Sequence, residues 1–324
     1  MRELSLFLRR IETVFTRQEM RALTLLLFVG ALIVSGCGTQ APSADQVVGL
    51  HVQQVQATAT AWAENPGSKA DVLAQMPERY LAAVVQTQSI ATNQTGTRRA
   101  NCGGIVLAEA NYMTPAAGGG QVPVNMYEIL DLDHCLNIEN PQNSADVMPA
   151  NKIMLRTATE YDTGKPGHAT TIMKTEPLVD LSGKATEIEV VTVMGEPGDT
   201  IPGMVPYGFD HFASNIQVGA TGLKMQSFPS EAVPISFVDA DMTYTGVDPD
   251  TGLAIIHTQG AKGTSASAFV DANNDLAGFM TRESNIDPNA LMAVTLMKSA
   301  AAQASFDWDV NRQAVEQKTV GLQP

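Results

Sequence analysis

The chain has 324 residues, 44% of them hydrophobic, which is enough for one large domain or two small ones. Its formal net charge is −14 at pH 7. A surface of that sign repels phosphate backbones and anionic lipid headgroups. The composition therefore argues against nucleic acid as a partner and against membrane binding through basic patches.

The residues before Cys37 have the features of an export signal. The apolar run 22–34 follows Arg21 and is shorter than the roughly 20 residues of a membrane span, but it has the length of a secretory signal. The run ends in Val34, Ser35, Gly36 and Cys37. These residues resemble the lipobox of bacterial lipoproteins. The resemblance implies cleavage before Cys37 and attachment of lipid to its thiol.

The lipobox resemblance also predicts where the protein is located. Residues 1–36 would form the signal peptide, with Met20 as an alternative start because residues 1–19 are long and of mixed charge for a leader. The lipid would anchor the protein in a cell membrane, and Gly38 favours the outer membrane if the cell has two. The folded part would then lie in the periplasm or at the cell surface. A chance cysteine after an ordinary signal or an uncleaved anchor is the alternative.

The first part of the exported chain is predicted to be helical. Residues 37–45 are small and polar and predict a tether. Residues 46–100 form a helical N-terminal segment, with an apolar stripe that Asn65-Pro66-Gly67 interrupts.

The remainder predicts a sheet followed by a helix. Strand-like runs alternate with turn residues over 101–285, which predicts an antiparallel β domain. In the last segment, 286–324, Asp287 and Pro288 suit the start of a helix, and its apolar continuation predicts burial. We therefore expect an α+β fold: mostly an antiparallel β-meander, with an N-terminal helical segment and a buried C-terminal helix.

Two cysteines follow the lipobox, Cys102 and Cys135. In an oxidising compartment two thiols usually pair, and the loop that they close predicts a stabilisation of roughly 3–4 kcal/mol. The alternative is a metal site that uses His134 beside Cys135. One thiolate and one imidazole fall short of the four ligands of a structural zinc site, so we expect the disulfide.

A calcium loop is the alternative that we weigh for Asp271, Asn273 and Asp275, whose oxygens alternate as at the start of an EF-hand loop. Leu276 stands where such a loop needs glycine, and Arg282 stands where it needs a bidentate acid. Aspartate and asparagine are also common turn formers, which is the simpler interpretation. We expect no other cofactor.

The sequence carries no catalytic motif that we recognise. A G-x-S-x-G elbow, a phosphate loop and a dinucleotide fingerprint are all missing, and residues 263–267 read as a small, flexible loop. A hydrolase would require a site that gathers distant groups, for example among His168, His211 and His257.

These observations lead to one expectation and three alternatives. We expect a membrane-anchored envelope lipoprotein that is not an enzyme and has a binding or structural role, with an envelope protein or a small hydrophobic ligand as a candidate partner. The alternatives are a carrier of lipid or another hydrophobic ligand, an exported hydrolase, and a calcium-dependent adhesive module.

Overall fold

The computed structural model describes residues 44–94, 96–115, 118–180, 184–229, 235–259, 264–284, 287, 289–296 and 298–320. Met20 and the lipobox residues Val34, Ser35, Gly36 and Cys37 lie outside these ranges. Among the described helices, none is both long enough and apolar enough to span a membrane.

Six antiparallel strands close into a first barrel in the order β1-β2-β3-β8-β7-β6. The strands are β1 (Val84–Asn93), β2 (Gly96–Pro115), β3 (Gln121–Leu132), β6 (Lys152–Thr157), β7 (His168–Val179) and β8 (Ala185–Gly195). One face of these strands carries Val85, Val106, Ile129, Ile153 and Val191, which pack together as the first barrel's core. Alternation along each strand places the other face on the outside.

A second barrel follows, again of six antiparallel strands, in the order β10-β11-β14-β13-β12-β9. The strands are β9 (Leu223–Ser227), β10 (Phe237–Val247), β11 (Ala254–His257), β12 (Ala268–Val270), β13 (Leu276–Glu283) and β14 (Ala290–Thr295). Met225, Met242, Ile256, Phe269 and Leu291 are among its core residues.

Helices and a short ribbon complete the described chain. They are α1 (Ala44–Glu64), α2 (Pro66–Leu73), α3 (Glu78–Ala83), α4 (Asp133–Leu136), the ribbon β4 (Asn137–Asn140) and β5 (Asn143–Pro149), α5 (Ala158–Asp162) and α6 (Lys298–Val320). Helix α1 packs Val55, Ala59 and Trp62 against Phe237 of the second barrel, with the Trp62 and Phe237 ring centroids 5.4 Å apart. Helix α6 lies against β7 and β8 of the first barrel.

The two barrels share one apolar interface. Its core combines Leu130, Leu132 and Ile188 of the first barrel with Val270 and Phe279 of the second. A fully buried tyrosine, Tyr80 of α3, accepts a hydrogen bond from the Gln226 backbone N–H at 2.7 Å and donates one to the Ala268 carbonyl at 2.6 Å. The junction is therefore held by both packing and buried hydrogen bonds.

The expected α+β meander is wrong, because the chain is mostly strand and closes into two barrels. Pairing of β1 with β6 and of β9 with β10 closes the barrels, and neither pairing is encoded in a local turn. Residues 84–93, predicted within the helical segment, form β1.

The predicted buried C-terminal helix is misplaced. Residues 290–295 form β14, which pairs with β11 and β13, and α6 begins only at Lys298. A short run that is apolar on all sides fits a strand buried on both faces as well as it fits a buried helix. Asp287 does not cap a helix here, since its Oδ1 accepts the Asn289 backbone N–H at 2.8 Å.

A histidine between two carboxylates pins the connection between the barrels. His168 at the start of β7 places Nε2 2.8 Å from Glu160 Oε1 and Nδ1 2.7 Å from Asp199 Oδ1. Asp199 belongs to the segment that leaves the first barrel, and Glu160 also forms a capping box with Thr157 at the start of α5. Burial alone lowers the pKa of His168, but the hydrogen bonds and charges of Glu160 and Asp199 outweigh it and raise that pKa above 6.5.

We expect the His168→Asn variant to lose stability in a pH-dependent way. Because the folded pKa of His168 is raised, its contribution is fully present below pH 6.5 and disappears as pH rises through the folded value. Urea unfolding should show a deficit of about 1–3 kcal/mol at pH 5.5 that shrinks by pH 9. A deficit that is the same at both pH values would contradict a charged His168.

Candidate active site at the barrel junction

The predicted disulfide is confirmed. Cys102 of β2 and Cys135 of α4 are bonded with an S–S distance of 2.01 Å, and their Cα atoms are 6.3 Å apart. Both cysteines are buried in the apolar interface between the barrels. The bond ties the turn that follows β3 to the strand that faces the second barrel.

The same turn carries His134, which the sequence had suggested as a metal ligand. Among the described residues, the group of His, Cys, Asp and Glu whose ligand atoms gather within 4.8 Å of one another is Cys102, His134 and Cys135. Both sulfurs are joined to each other, so the oxidised chain offers only the imidazole there. Its geometry does not provide the three or four ligands of a zinc site.

The three predicted calcium ligands lie in the tight turn between β12 and β13. Asp271 Oδ1 accepts the backbone N–H groups of Asn273 at 2.8 Å and of Asp275 at 2.9 Å, while Asn274 adopts a positive φ of 67°. Lys224 Nζ reaches Asn274 Oδ1 at 2.8 Å, which places a cation beside the turn. The Asp271 carboxylate is therefore engaged by backbone, and calcium at these residues stays a prediction.

A serine of the second barrel meets the first barrel beside the disulfide. The carbonyl of Ser265 accepts the backbone N–H of Gly103 at 2.7 Å. A Cβ at Gly103 would lie 2.9 Å from Ser267 Cα, so the approach of the two backbones requires glycine. Because Gly103 directly follows Cys102, the serine and the disulfide lie at the same junction.

The backbone around Ser265 forms a tight turn. The Ser267 N–H reaches the Thr264 carbonyl at 3.0 Å, and Ala266 holds a φ of 57°, which is the left-handed region. Non-glycine residues are uncommon in this region and cluster at functional sites. The Ser265 hydroxyl donates to the Thr281 carbonyl at 3.0 Å, so it is held by one hydrogen bond that rotation about χ1 releases.

His134 is exposed and faces charges from both barrels. Protein around the imidazole removes part of its water and lowers the pKa of His134, and Arg282, next to Thr281, acts in the same direction. Glu187, Asp133 and Glu139 oppose this shift, with Glu187 the strongest of the three. The ring is therefore neutral at pH 7 and able to accept a proton.

Other acids near the turn are more deeply placed. Asp131 is fully buried, and burial raises its pKa to about 7. Burial, together with the nearby Asp133, raises the pKa of Glu189 to about 7 as well. Glu187, in contrast, is exposed, and its charge acts on His134.

The three histidines proposed for a hydrolase are not gathered. His168 bridges Glu160 and Asp199, His211 Nδ1 lies 3.8 Å from Asp275 Oδ1, and His257 ends β11 on the exposed face. His134 lies at the junction that holds Ser265 instead. One of its ring nitrogens is within 4.8 Å of the Cys102 sulfur, and the backbone of the next residue, Gly103, binds the Ser265 carbonyl.

This arrangement has the parts for acyl transfer. Ser265 supplies a hydroxyl, His134 a neutral imidazole, and Glu187 a carboxylate that acts on the imidazole.

A separate cavity of about 600 Å³ opens at the far end of the first barrel. Tyr112, Met113, Met173, Met194 and Val315 are among the residues that line it. Its size and methionine-rich wall suit a small apolar molecule. A small hydrophobic ligand therefore stays a prediction, separate from the Ser265 site.

No protein-family model and no curated protein matches the chain. Solved structures do match it. One is a serine endoprotease from Yersinia pestis, with a TM-score of 0.41 and 13% sequence identity. The match covers 72% of this chain and 64% of that protein. The Rv3671c protease from M. tuberculosis in its active form has a TM-score of 0.41 and 14% sequence identity, and the match covers 69% of this chain and 78% of that one. The structure of GrC has a TM-score of 0.46 and 9% sequence identity, and the match covers 72% of this chain and 97% of that one.

Two expectations are corrected here. The chain was expected not to be an enzyme and to have a non-catalytic binding or structural role; instead, the solved structures that it matches include serine proteases. The junction of its own barrels also presents a serine, a histidine and an acid. The G-x-S-x-G motif does not mark Ser265, because that motif forms a strand-to-helix turn and Ser265 precedes a strand.

A usable sequence signal was nevertheless present. His134-Cys135 ends a buried strand, Cys102-Gly103-Gly104 allows close backbone approach, and the small residues around Ser265 precede β12. Each pattern alone is common. Their meaning depends on the disulfide that brings them to one place.

Proposed function

We propose that this protein is a serine hydrolase that acts by acyl transfer, with peptides as its substrate class. The observation that carries the proposal is the hydrogen bond from the Gly103 N–H to the Ser265 carbonyl, which holds Ser265 at the junction where His134 lies. Ser265 is the proposed nucleophile, His134 the general base and Glu187 the acid that orients the imidazole.

The proposed reaction begins with rotation of the Ser265 hydroxyl away from the Thr281 carbonyl toward His134. His134 takes the hydroxyl proton while Ser265 Oγ attacks the substrate carbonyl carbon, and the same proton then goes to the leaving group. An acyl-Ser265 intermediate forms as the amide or ester bond breaks. Water, deprotonated by His134, releases the acid product and restores Ser265. Glu187 stabilises the imidazolium that forms in each half-reaction.

We also propose that the hydrolase is exported and held at a cell membrane by lipid on Cys37, with the outer membrane favoured if the cell has two. The residues from Val34 to Cys37 support this by their resemblance to a lipobox. The anchor is chemical rather than electrostatic, since a chain of net charge −14 is repelled by anionic lipids. Two or more acyl chains give stable attachment.

Labelling with a fluorophosphonate probe tests both parts of the proposal. The wild-type protein in a membrane fraction should become covalently labelled at Ser265, as read by peptide mass spectrometry, because the probe reacts with activated serines. Ser265→Ala should abolish the label. The matched control is Ser267→Ala, which alters a fully buried serine in the same turn and should keep it.

Each part of this experiment has its own negative result. A folded wild-type protein that is never labelled at Ser265 would contradict the hydrolase. A labelled protein whose intact mass shows no lipid at Cys37, or whose Cys37→Ser variant remains membrane-bound, would contradict the anchor alone.

A further inference from the structure

Three acidic side chains from three elements meet between helix α6 and the first barrel. Glu128 of β3 is fully buried, and Glu176 of β7 and Asp307 of α6 are partly buried. Both carboxylate oxygens of Glu128, Oε2 of Glu176 and Oδ2 of Asp307 are buried without a hydrogen-bond partner among the described residues. Unpartnered buried carboxylate oxygens are costly, so this cluster requires an explanation.

Among the described residues, the nearby cations neutralise the cluster only in part. Lys174 Nζ binds Glu176 Oε1 at 2.7 Å and so reaches only the outer oxygen of that residue. Arg312, on the next turn of α6, binds Glu316 at 2.7 Å and lies 3.8 Å from Asp309, a fourth acid that also acts on Glu128.

The remaining neighbours of Glu128 are uncharged. On either side of it in the barrel stand Ala108 and Thr192, and Thr192 already accepts a hydrogen bond from Asn311 of α6 at 2.8 Å. Three ionised carboxylates would therefore repel one another in a poorly solvated site.

Protons resolve this repulsion. Asp307 lies within hydrogen-bonding reach of Glu176, and two carboxyl groups bond to each other only when one carries a proton. Burial, followed by the charges of Asp307, Glu176 and Asp309, raises the pKa of Glu128 to about 9. Burial and Glu176 also raise the pKa of Asp307, against the opposing charge of Lys174 and a hydrogen bond with Gln303.

We propose that Glu128, Glu176 and Asp307 form a proton-dependent latch that holds helix α6 on the first barrel. With protons shared among the three acids, α6 packs against the barrel. As the acids ionise, their mutual repulsion pushes α6 away, because two of them belong to barrel strands and one to the helix.

Release of the helix at the latch would expose a buried tryptophan. Trp308, next to Asp307, is 8% exposed and packs against Ala108 and Met126 of the barrel. The remaining polar ties of α6 to the barrel include Gln303, which accepts from the Val179 N–H and donates to the Pro177 carbonyl, both at 3.0 Å. These ties carry no charge, so they do not change with pH between 5 and 9.

The direction of the pH effect follows from the raised pKa values. Since the docked state binds more protons than the undocked state, docking is strongest at low pH and weakens as pH rises from the ordinary carboxyl range toward about 9. This inference is independent of the proposed hydrolase, because none of the three acids belongs to the Ser265 site.

Fluorescence quenching of Trp308 tests the latch directly. The chain has two tryptophans, so the Trp62→Phe variant reports Trp308 alone. We expect its acrylamide quenching constant to rise at least two-fold between pH 5 and pH 9 while the far-ultraviolet circular dichroism of the barrels is retained. The double variant Glu128→Gln with Asp307→Asn, in the same background, should stay weakly quenched throughout.

The matched control is Asp309→Asn, which removes a mostly exposed acid of the same helix. Its charge is the weakest of the three that act on Glu128, so this variant should keep most of the pH-dependent rise. Glu128→Gln alone serves if the double variant does not fold. A quenching constant that stays level from pH 5 to pH 9 in the Trp62→Phe protein would overturn the latch. An equal rise in the Glu128→Gln variant would overturn it as well.

Discussion

The His134→Ala variant is expected to lose at least about 10³-fold in kcat for hydrolysis of p-nitrophenyl acetate, because the proposed mechanism relies on His134 to accept the Ser265 proton. Glu187→Gln should lose up to about 10⁴-fold, since an amide cannot stabilise the imidazolium. The low pKa of His134 predicts that wild-type activity rises with pH through a midpoint below 6.5 and then levels off.

The control for the acid is Glu189→Gln. Glu189 lies two residues further along β8 and is half-buried, and its raised pKa of about 7 makes it a poor constant negative charge. We expect it to keep most of the wild-type kcat. A Glu189→Gln loss larger than that of Glu187→Gln would reassign the orienting acid, and a His134→Ala variant with more than a tenth of wild-type kcat would remove His134 as the base.

The Tyr80→Phe variant should be destabilised by about 2–4 kcal/mol. Loss of the hydroxyl leaves the Gln226 N–H and the Ala268 carbonyl unpaired in a fully buried place, and each such group costs about 1–3 kcal/mol. The hydroxyl stays protonated because burial raises the pKa of Tyr80 far above its ordinary value. Unfolding in urea, with m held constant, measures the loss.

Tyr112→Phe provides the comparison, because the Tyr112 hydroxyl makes a long hydrogen bond of 3.5 Å to the Arg312 carbonyl and is only partly buried. Its loss should stay below about 1 kcal/mol. Equal losses for the two variants would mean that Tyr80 contributes packing alone.

Local sequence patterns marked the proposed catalytic residues one by one but did not indicate that they form a site. His134 was singled out beside Cys135 as a candidate metal ligand, and the loop containing Ser265 was noted as small and flexible. His134 and Ser265 are far apart in sequence, and their segments reach the same junction through the backbone contact of Gly103 with Ser265, which depends on barrel closure. The named alternative of an exported hydrolase was the better one, although His168, His211 and His257 were the wrong histidines for it.

Local patterns along the chain determined several features. The pairing of Cys102 with Cys135 followed from there being two thiols after the lipobox, and turn residues such as Asp271 and Asn274 correctly marked a hairpin. Alternation of apolar residues marked most of the strands between 101 and 285. The lipobox from Val34 to Cys37 is likewise a local pattern, and its membrane anchor stays a prediction.

The tertiary structure alone decided how the strands close, that residues 290–295 pair as β14 rather than coil into a helix, and which acids lie together under α6. A strand and a short buried helix bury similar apolar runs, so local periodicity cannot separate them. Barrel closure depends on hydrogen bonds between strands far apart in sequence, and the Ser265 site and the Glu128 cluster depend on that closure. Local residue patterns specify turns and thiol pairs, whereas sites assembled across barrels exist only once the long-range pairings have formed.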